Sequence, residues 1–190
     1  MSKDSILKAA AHIFREKGFH AASMQEIAQA VNLQKASLYH HVNSKQEILL
    51  TLLDRGLDIL IERLNEVRDK QVSPPEKLHL AMRCYLNSLV EYRDLSTVLL
   101  LEYRSLEPEF YRRHVKRRDR FEQIWKDILE EGKQKGDFLV EDISLVAKAL
   151  LGVMNWTITW YRLEGSLSSD EIASKLADLF LQGLSTCLDT

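Results

Sequence analysis

The chain has 190 residues, a formal net charge of −2, 45% apolar residues and 28% charged ones. That length suits one compact domain, or a small domain plus a mid-sized one, and the mix excludes disorder over most of the chain. Three Pro and seven Gly are too few for a turn-rich all-β protein, while the abundance of Leu, Ala, Glu, Lys and Arg favours an all-α fold.

The expected setting is the cytoplasm. No apolar run approaches the roughly 18 residues of a membrane span, so no membrane partner is expected. The opening MSKDSILKAA carries no apolar core followed by a cleavage site. Cys84 and Cys187 read as buried reduced thiols rather than a disulfide or zinc framework, and no metal or cofactor is expected. Charge is uneven. Residues 1–50 hold six basic and four acidic side chains and four of the six His; no acid lies between Glu26 and Glu47, where Lys35, His40, His41 and Lys45 fall. A basic stretch in an acidic chain suggests contact with a polyanion.

In chain order, Ile6, Leu7, Ala10, Ile13 and Phe14 recur at helical spacing, and Gly18 fits the C-terminus of that first helix. Ser23 with Glu26 forms a capping box for a second, short helix with Met24, Ile27, Ala28 and Val31 inside. Asn32 tolerates a left-handed turn. A third helix, near Gln34 to Val42, buries Leu38 and Val42 and presents Lys35, Ser37, Tyr39 and His40. Ser44 opens a fourth helix with Glu47 as capping partner. Two short helices joined by a tight turn make a helix-turn-helix, and the second is small, basic and aromatic on its outside. Lys, His and the Tyr39 hydroxyl suit phosphates, and Ala36 and Ser37 allow close approach to DNA. His40 and His41 point about 100° apart on a helix, too far to share a metal ion.

The segment ILKAAAHIFREKGFHAASMQEIAQAVNLQKASLYHHVNSKQEIL resembles the N-terminal domain of TetR-family transcriptional regulators. The shared words are the KGF turn, S-M-x-x-I-A in helix 2, K-x-S-L-Y-x-H in helix 3 and S-K-x-x-I-L opening helix 4. The resemblance implies that helix 3 enters the major groove of an operator. It implies phosphate contacts for Tyr39, His41 and Lys45, and base-proximal positions for Gln34, Lys35, Ser37 and His40. Ser23 and Ala36 complete the candidate DNA-binding set. Asn32 stands where the family usually has Gly, Gln34 where Ser caps, Ala36 for Gly and Val42 for Phe.

The implied architecture is a three-helix helix-turn-helix DNA-binding domain, residues 1–46, and a larger helical ligand-binding and dimerisation domain, residues 47–190. Helix 4 continues through Leu49, Leu52, Leu53, Leu60, Leu64 and Val67. Ser73-Pro74-Pro75-Glu76 starts another helix carrying Leu78 to Leu89, and Asp94 is expected to cap the next. A long helix follows from Glu107 to Gly132. Its inner stripe holds Tyr111, His114, Phe121, Ile124 and Trp125, with Arg112, Arg113, Lys116, Arg117 and Arg120 outside as a solvated face. Arg118 falls near the stripe, where a buried Arg needs an acidic or anionic partner. Ile143–Tyr161 is strongly apolar, and a last helix follows the Ser168–Glu171 capping box.

Inward aromatics suggest an apolar ligand pocket. The candidates are Tyr85, Tyr103, Tyr111, Trp125, Trp156 and Trp160, with Arg104, His114, Arg118 and Asn155 as polar anchors. Leu176, Leu179, Phe180 and Leu184 stripe the last helix, and the resemblance implies that the last two helices pair in a homodimer. EYRSLEPEF and GVMNWTITWY resemble a subgroup regulating fatty-acid and lipid degradation in response to acyl-coenzyme A. The expected function is therefore a repressor of a pseudo-palindromic operator with a small hydrophobic effector. The other reading is an efflux or stress regulator sensing amphipathic toxic compounds. No Gly-rich phosphate loop, G-x-S-x-G elbow or metal-ligand cluster points to an enzyme.

Overall fold

The computed structural model describes residues 2–184; Cys187 lies outside them. Among the described residues the chain forms α1 (Lys3–Lys17), α2 (Met24–Ala30), α3 (Lys35–Leu38), α4 (Lys45–Arg68), α5 (Pro74–Glu91), α6 (Arg93–Leu101), a 3₁₀ turn (Tyr103–Ser105), α7 (Pro108–Gln134), α8 (Ile143–Trp160) and α9 (Ser169–Leu184). The all-α expectation holds. The chain divides into two packing units, Met1–Asp58 with Tyr92–Arg118, and Ile59–Glu91 with Asp119–Thr190.

In the first unit, local chemistry sets each helix end. Ser2 caps α1 through Ser5 N at 3.3 Å. Gly18, at φ 79°, closes α1 in a backbone conformation that side chains resist. Ile6, Phe14, Ile27, Leu38, Ile48 and Leu49 are buried together with Phe19, whose ring meets Phe14 edge-on at 5.3 Å. Asp94 does not cap α6, as the sequence suggested it would. The N-cap is Tyr92, without a side-chain cap bond, because the Asp94 carboxylate is taken by Arg15 and by His12 Nδ1 at 3.2 Å.

The second unit packs α5 against α9 around Leu78, Tyr85, Trp125 and Ile128, all buried. Lys77, nearly fully buried, reaches Glu131 at 2.7 Å, and Lys135 meets the other oxygen of the same carboxylate. Asp142 caps α8 through Leu145 N at 2.9 Å, and the Ser168–Glu171 capping box starts α9 as expected. Cys84 is half-buried rather than buried. The residue lines an open groove of 380 Å³ with Arg63, Val67, Lys70 and Arg83, and partial burial pushes its pKa up. The expectation about apolar runs also needs correction. Ile143–Trp160, α8, is long and apolar enough to cross a membrane by length and composition, with only part of its surface covered.

α7 ends in a tight contact. Asp137 N and Phe138 N both donate to Gly132 O, at 2.9 and 3.2 Å, and the turn folds the buried Phe138 ring onto Gly132. A Cβ on Gly132 would overlap that ring. Overpacking of this kind costs about 1–3 kcal/mol. Gly132→Ala is therefore expected to lower stability by about that much in urea unfolding, whereas Gly152→Ala, with open space around it, should be neutral or mildly stabilising in its helix.

Candidate nucleic-acid interface

The turn between α2 and α3 is built by backbone chemistry. Leu33 N donates to Ala28 O at 2.8 Å, and Asn32 adopts φ 55°, the one non-glycine positive φ among the described residues. Asn is among the few side chains that accept this conformation, so it fills the place where the family commonly has Gly. The Ser23–Glu26 box holds the start of α2: Ser23 Oγ accepts from Glu26 N at 3.2 Å, and Glu26 Oε2 accepts from Ser23 N at 2.9 Å. Ser23 is exposed, but its hydroxyl proton is already given to Glu26 at 2.9 Å.

The recognition helix is shorter than its periodicity suggested. α3 ends at Leu38, and the chain then tightens into i→i−3 bonds, His40 N to Ser37 O and His41 N to Leu38 O. Gln34 stands at its N-cap without a side-chain cap bond. An uncapped four-residue helix has little to propagate it, so Tyr39, His40 and His41 sit on a turn. Gln34, Lys35, Ala36, Tyr39, His40 and His41 are nevertheless all exposed, and Ser37 is half-exposed, while Leu38 and Val42 stay buried beneath. The structure thus brings these seven residues to one solvent-facing segment containing no acid.

Lys45 lies differently. Its ammonium donates to Phe19 O at 2.8 Å, Ala22 O at 2.7 Å and His20 O at 3.3 Å, and stands 4.5 Å from the Phe19 ring centre. Three donors meet three carbonyls of the α1–α2 loop. The adjacent Gln46 was not singled out by sequence. Its amide donates to Ser105 O at 2.9 Å and accepts from Glu107 N at 3.1 Å, clasping the segment that leads into α7. No sequence pattern marks a lone Gln for such a clasp.

The expected ligand residues divide between the units. In the second, Tyr85 donates to Asn155 Oδ1 at 2.5 Å, and its ring meets Trp125 edge-on at 5.8 Å. Burial drives the Tyr85 phenol far above its usual range, so it stays protonated. Trp156 and Trp160 do not join this cluster; they are 66% and 47% exposed, beside exposed Val153 on the same helix. In the first unit, Tyr103 lies 6.3 Å from the buried His114 ring and meets Arg104 by a hydrogen bond at 3.0 Å; Tyr111 and Arg118 are half-buried. Burial, aided by Arg118 and Arg117, pushes His114 down to about 4, which keeps it neutral at pH 7. Of the expected dimer residues, Leu179 is exposed, Leu176 and Phe180 are half-buried and Leu184 is buried. Leu184 closes the end of α9, where its carbonyl accepts from Leu139 N at 2.8 Å.

An acid-free basic and aromatic segment on a helix-turn-helix is the head of a DNA-reading regulator. Comparison with known proteins gives the class its family. Residues 6–52 match the model of bacterial regulatory proteins of the tetR family, and residues 71–184 match the tetracyclin repressor-like C-terminal domain. The KstR2 transcriptional repressor of Mycolicibacterium smegmatis is 29% identical over 96% of this chain and 90% of its own. The TetR-family regulator PfmR of Thermus thermophilus superposes with TM-score 0.87 at 35% identity, covering 95% of this chain and 99% of that one. AibR, solved with isovaleryl coenzyme A and operator DNA, superposes with TM-score 0.85 at 26% identity, covering 96% and 97%. The chain belongs to the TetR family of DNA-binding transcriptional regulators.

The capping box also gives the head a pH signature. Lys17 first, then the two Ser23 donors, lower the Glu26 carboxyl from 4.5 to about 2. A depressed carboxyl stabilises the fold above its unfolded pKa and loses that contribution as pH falls through the folded value. The stability gap between the wild type and Glu26→Gln should be full above pH 4.5 and close towards pH 2, as read by thermal unfolding at stepped pH. A gap that stays constant across this range would exclude the ionised cap.

Proposed function

We propose that this protein is a homodimeric repressor that binds a pseudo-palindromic operator and responds to an acyl-coenzyme A. Residues 1–46 would serve DNA binding, and residues 47–190 ligand binding and dimerisation. The observation carrying the ligand class is the likeness to AibR over nearly the whole of both chains, because AibR is seen with both an acyl-coenzyme A and its operator. The exposed residues of the α3 segment carry the DNA reading. Gln34, Lys35, Ala36, Ser37 and His40 approach bases, and Lys35, Tyr39 and His41 are free to reach phosphates. We assign Lys45 a positioning role in place of the phosphate contact implied by the resemblance, since its donors are engaged by the loop that sets α2. Ser23 acts likewise, by holding the start of α2.

The exposed apolar residues Val153, Trp156, Trp160 and Leu179, with half-buried Leu176 and Phe180, support a two-fold interface made by the last two helices. The buried Tyr85 and Trp125, with half-buried Asn155, support an acyl site within the second unit. His114, with Tyr103, Arg104, Tyr111 and Arg118, is the candidate polar group of the first.

Four measurements test this reading. Titration of the protein–operator complex with long-chain acyl-coenzyme A should change operator affinity, whereas free coenzyme A and free fatty acid should not; an equal change with a cationic dye would favour the toxic-compound regulator. Lys35→Ala should reduce the salt slope of operator binding by roughly one. Lys45→Ala should instead lower stability by about 1–2 kcal/mol with the slope unchanged, and a slope reduced by one would return Lys45 to the phosphate contacts. Sedimentation should show a dimer at micromolar concentration and a monomer for Trp156→Glu.

A further inference from the structure

Trp125 carries a polar group that the fold leaves unmet. The residue sits on α7 and is wholly buried, and among the described residues its indole Nε1 has no hydrogen-bond acceptor. Asn65 Oδ1 and His114 Nδ1 share that condition among the described residues. Trp125 differs from both. Asn65 is only half-buried, and an imidazole can exchange its proton between ring nitrogens, whereas an indole N–H only donates. The surroundings of Trp125 are rings: Tyr85 of α5 stands edge-on at 5.8 Å, and Phe121 lies 5.7 Å from Tyr85. The Tyr85 hydroxyl donates to Asn155 Oδ1 of α8 at 2.5 Å, and half-buried Asn155 is the polar edge of the cluster. All four residues belong to the second unit.

A buried donor left unmade costs its full desolvation, a penalty that a Phe at the same place would not carry. The position thus keeps a group that the fold alone does not use. We propose that the Trp125 indole N–H donates to the thioester carbonyl of the acyl-coenzyme A, so that the site reads the acyl linkage and not the chain alone. The assignment rests on the acyl-coenzyme A reading and names the residue that selects the thioester. The chemistry of the effector narrows the choice of acceptor. Its phosphates are charged, and Tyr85, Phe121, Trp125 and Asn155 offer no cation to accompany them out of water. Its pantetheine amides each bring an N–H as well as a carbonyl, so pairing one with a lone donor would bury a second donor. The thioester carbonyl is an acceptor without a donor, joined directly to the apolar chain that the rings would cover. A free carboxylate fails at the same place, because its charge would be buried against one neutral N–H.

The test compares palmitoyl-coenzyme A with S-hexadecyl-coenzyme A, a thioether in which a methylene replaces the carbonyl, on the full-length protein. Calorimetry reads affinity. Nitrogen–proton correlation spectra read the indole N–H groups of the three Trp, and Trp156→Phe and Trp160→Phe assign the Trp125 resonance by elimination. The wild type should bind the thioester about fivefold more tightly than the thioether, and the Trp125 resonance should move further downfield with the thioester. In Trp125→Phe, whose melting curve checks the fold, the affinity ratio should fall to about one. That ratio compares two molecules in one variant, so the cost of repacking the core cancels from it. Equal wild-type affinities overturn the assignment, as does a Trp125 resonance that responds alike to both molecules, or a folded variant that keeps the preference. A thioester-specific movement confined to Trp156 or Trp160 also overturns it and gives the carbonyl to α8. If the wild type binds neither molecule, the acyl-coenzyme A reading itself fails and the assignment falls with it.

Discussion

The head of this protein depends on where one ammonium group lies. Lys45, at the first position of α4, closes on the carbonyls of Phe19, His20 and Ala22. These belong to the loop between α1 and α2, and the Ser23–Glu26 box begins one residue later. A loop carbonyl without a partner would turn to water, and the entry angle of α2 would loosen with it. The start of one helix thereby fixes the start of another, and α3 inherits its position through the Asn32 turn.

The same logic recurs along the first unit. Asp94 is engaged by α1 instead of capping its own helix, and Gln46 is engaged by the segment before α7. Each short polar side chain ties two elements distant in sequence. The apolar residues beneath supply the driving force without direction, and these few directional bonds select one arrangement of the helices.

Much of the fold was legible in the sequence because its signals are local. Helix period, the Ser23–Glu26 and Ser168–Glu171 boxes, Asn32 and the Ser73-Pro74 break are short-range statements, and each sits where the spacing put it. What stayed hidden is long-range. Asp94 read as a cap, since nothing near it in sequence shows that Arg15 would claim its carboxylate. That the Lys45 ammonium would meet the carbonyls of Phe19, His20 and Ala22 is hidden for the same reason. The length of α3 was overestimated because Leu38 and Val42 have helical spacing, while the missing cap at Gln34 decides where a helix this short gives out. Trp156 and Trp160 read as inward because they share a face; only the fold shows that this face looks outward. Of the candidate site, the α3 segment was legible residue by residue, whereas the ligand residues were legible only as a set of aromatic and polar types without a common place.

The placement of the tryptophans gives the molecule a built-in optical reporter. The chain has three. Trp125 is wholly buried against Tyr85, and the other two stand in solvent on α8. A buried indole emits to the blue and is shielded from soluble quenchers, while an indole in solvent emits to the red and is open to collision. Covering the α8 face would change the pair and leave the single residue untouched, and rearrangement of the buried cluster would do the reverse. Two events that a stability or binding curve merges are thus separable in one cuvette, without a label.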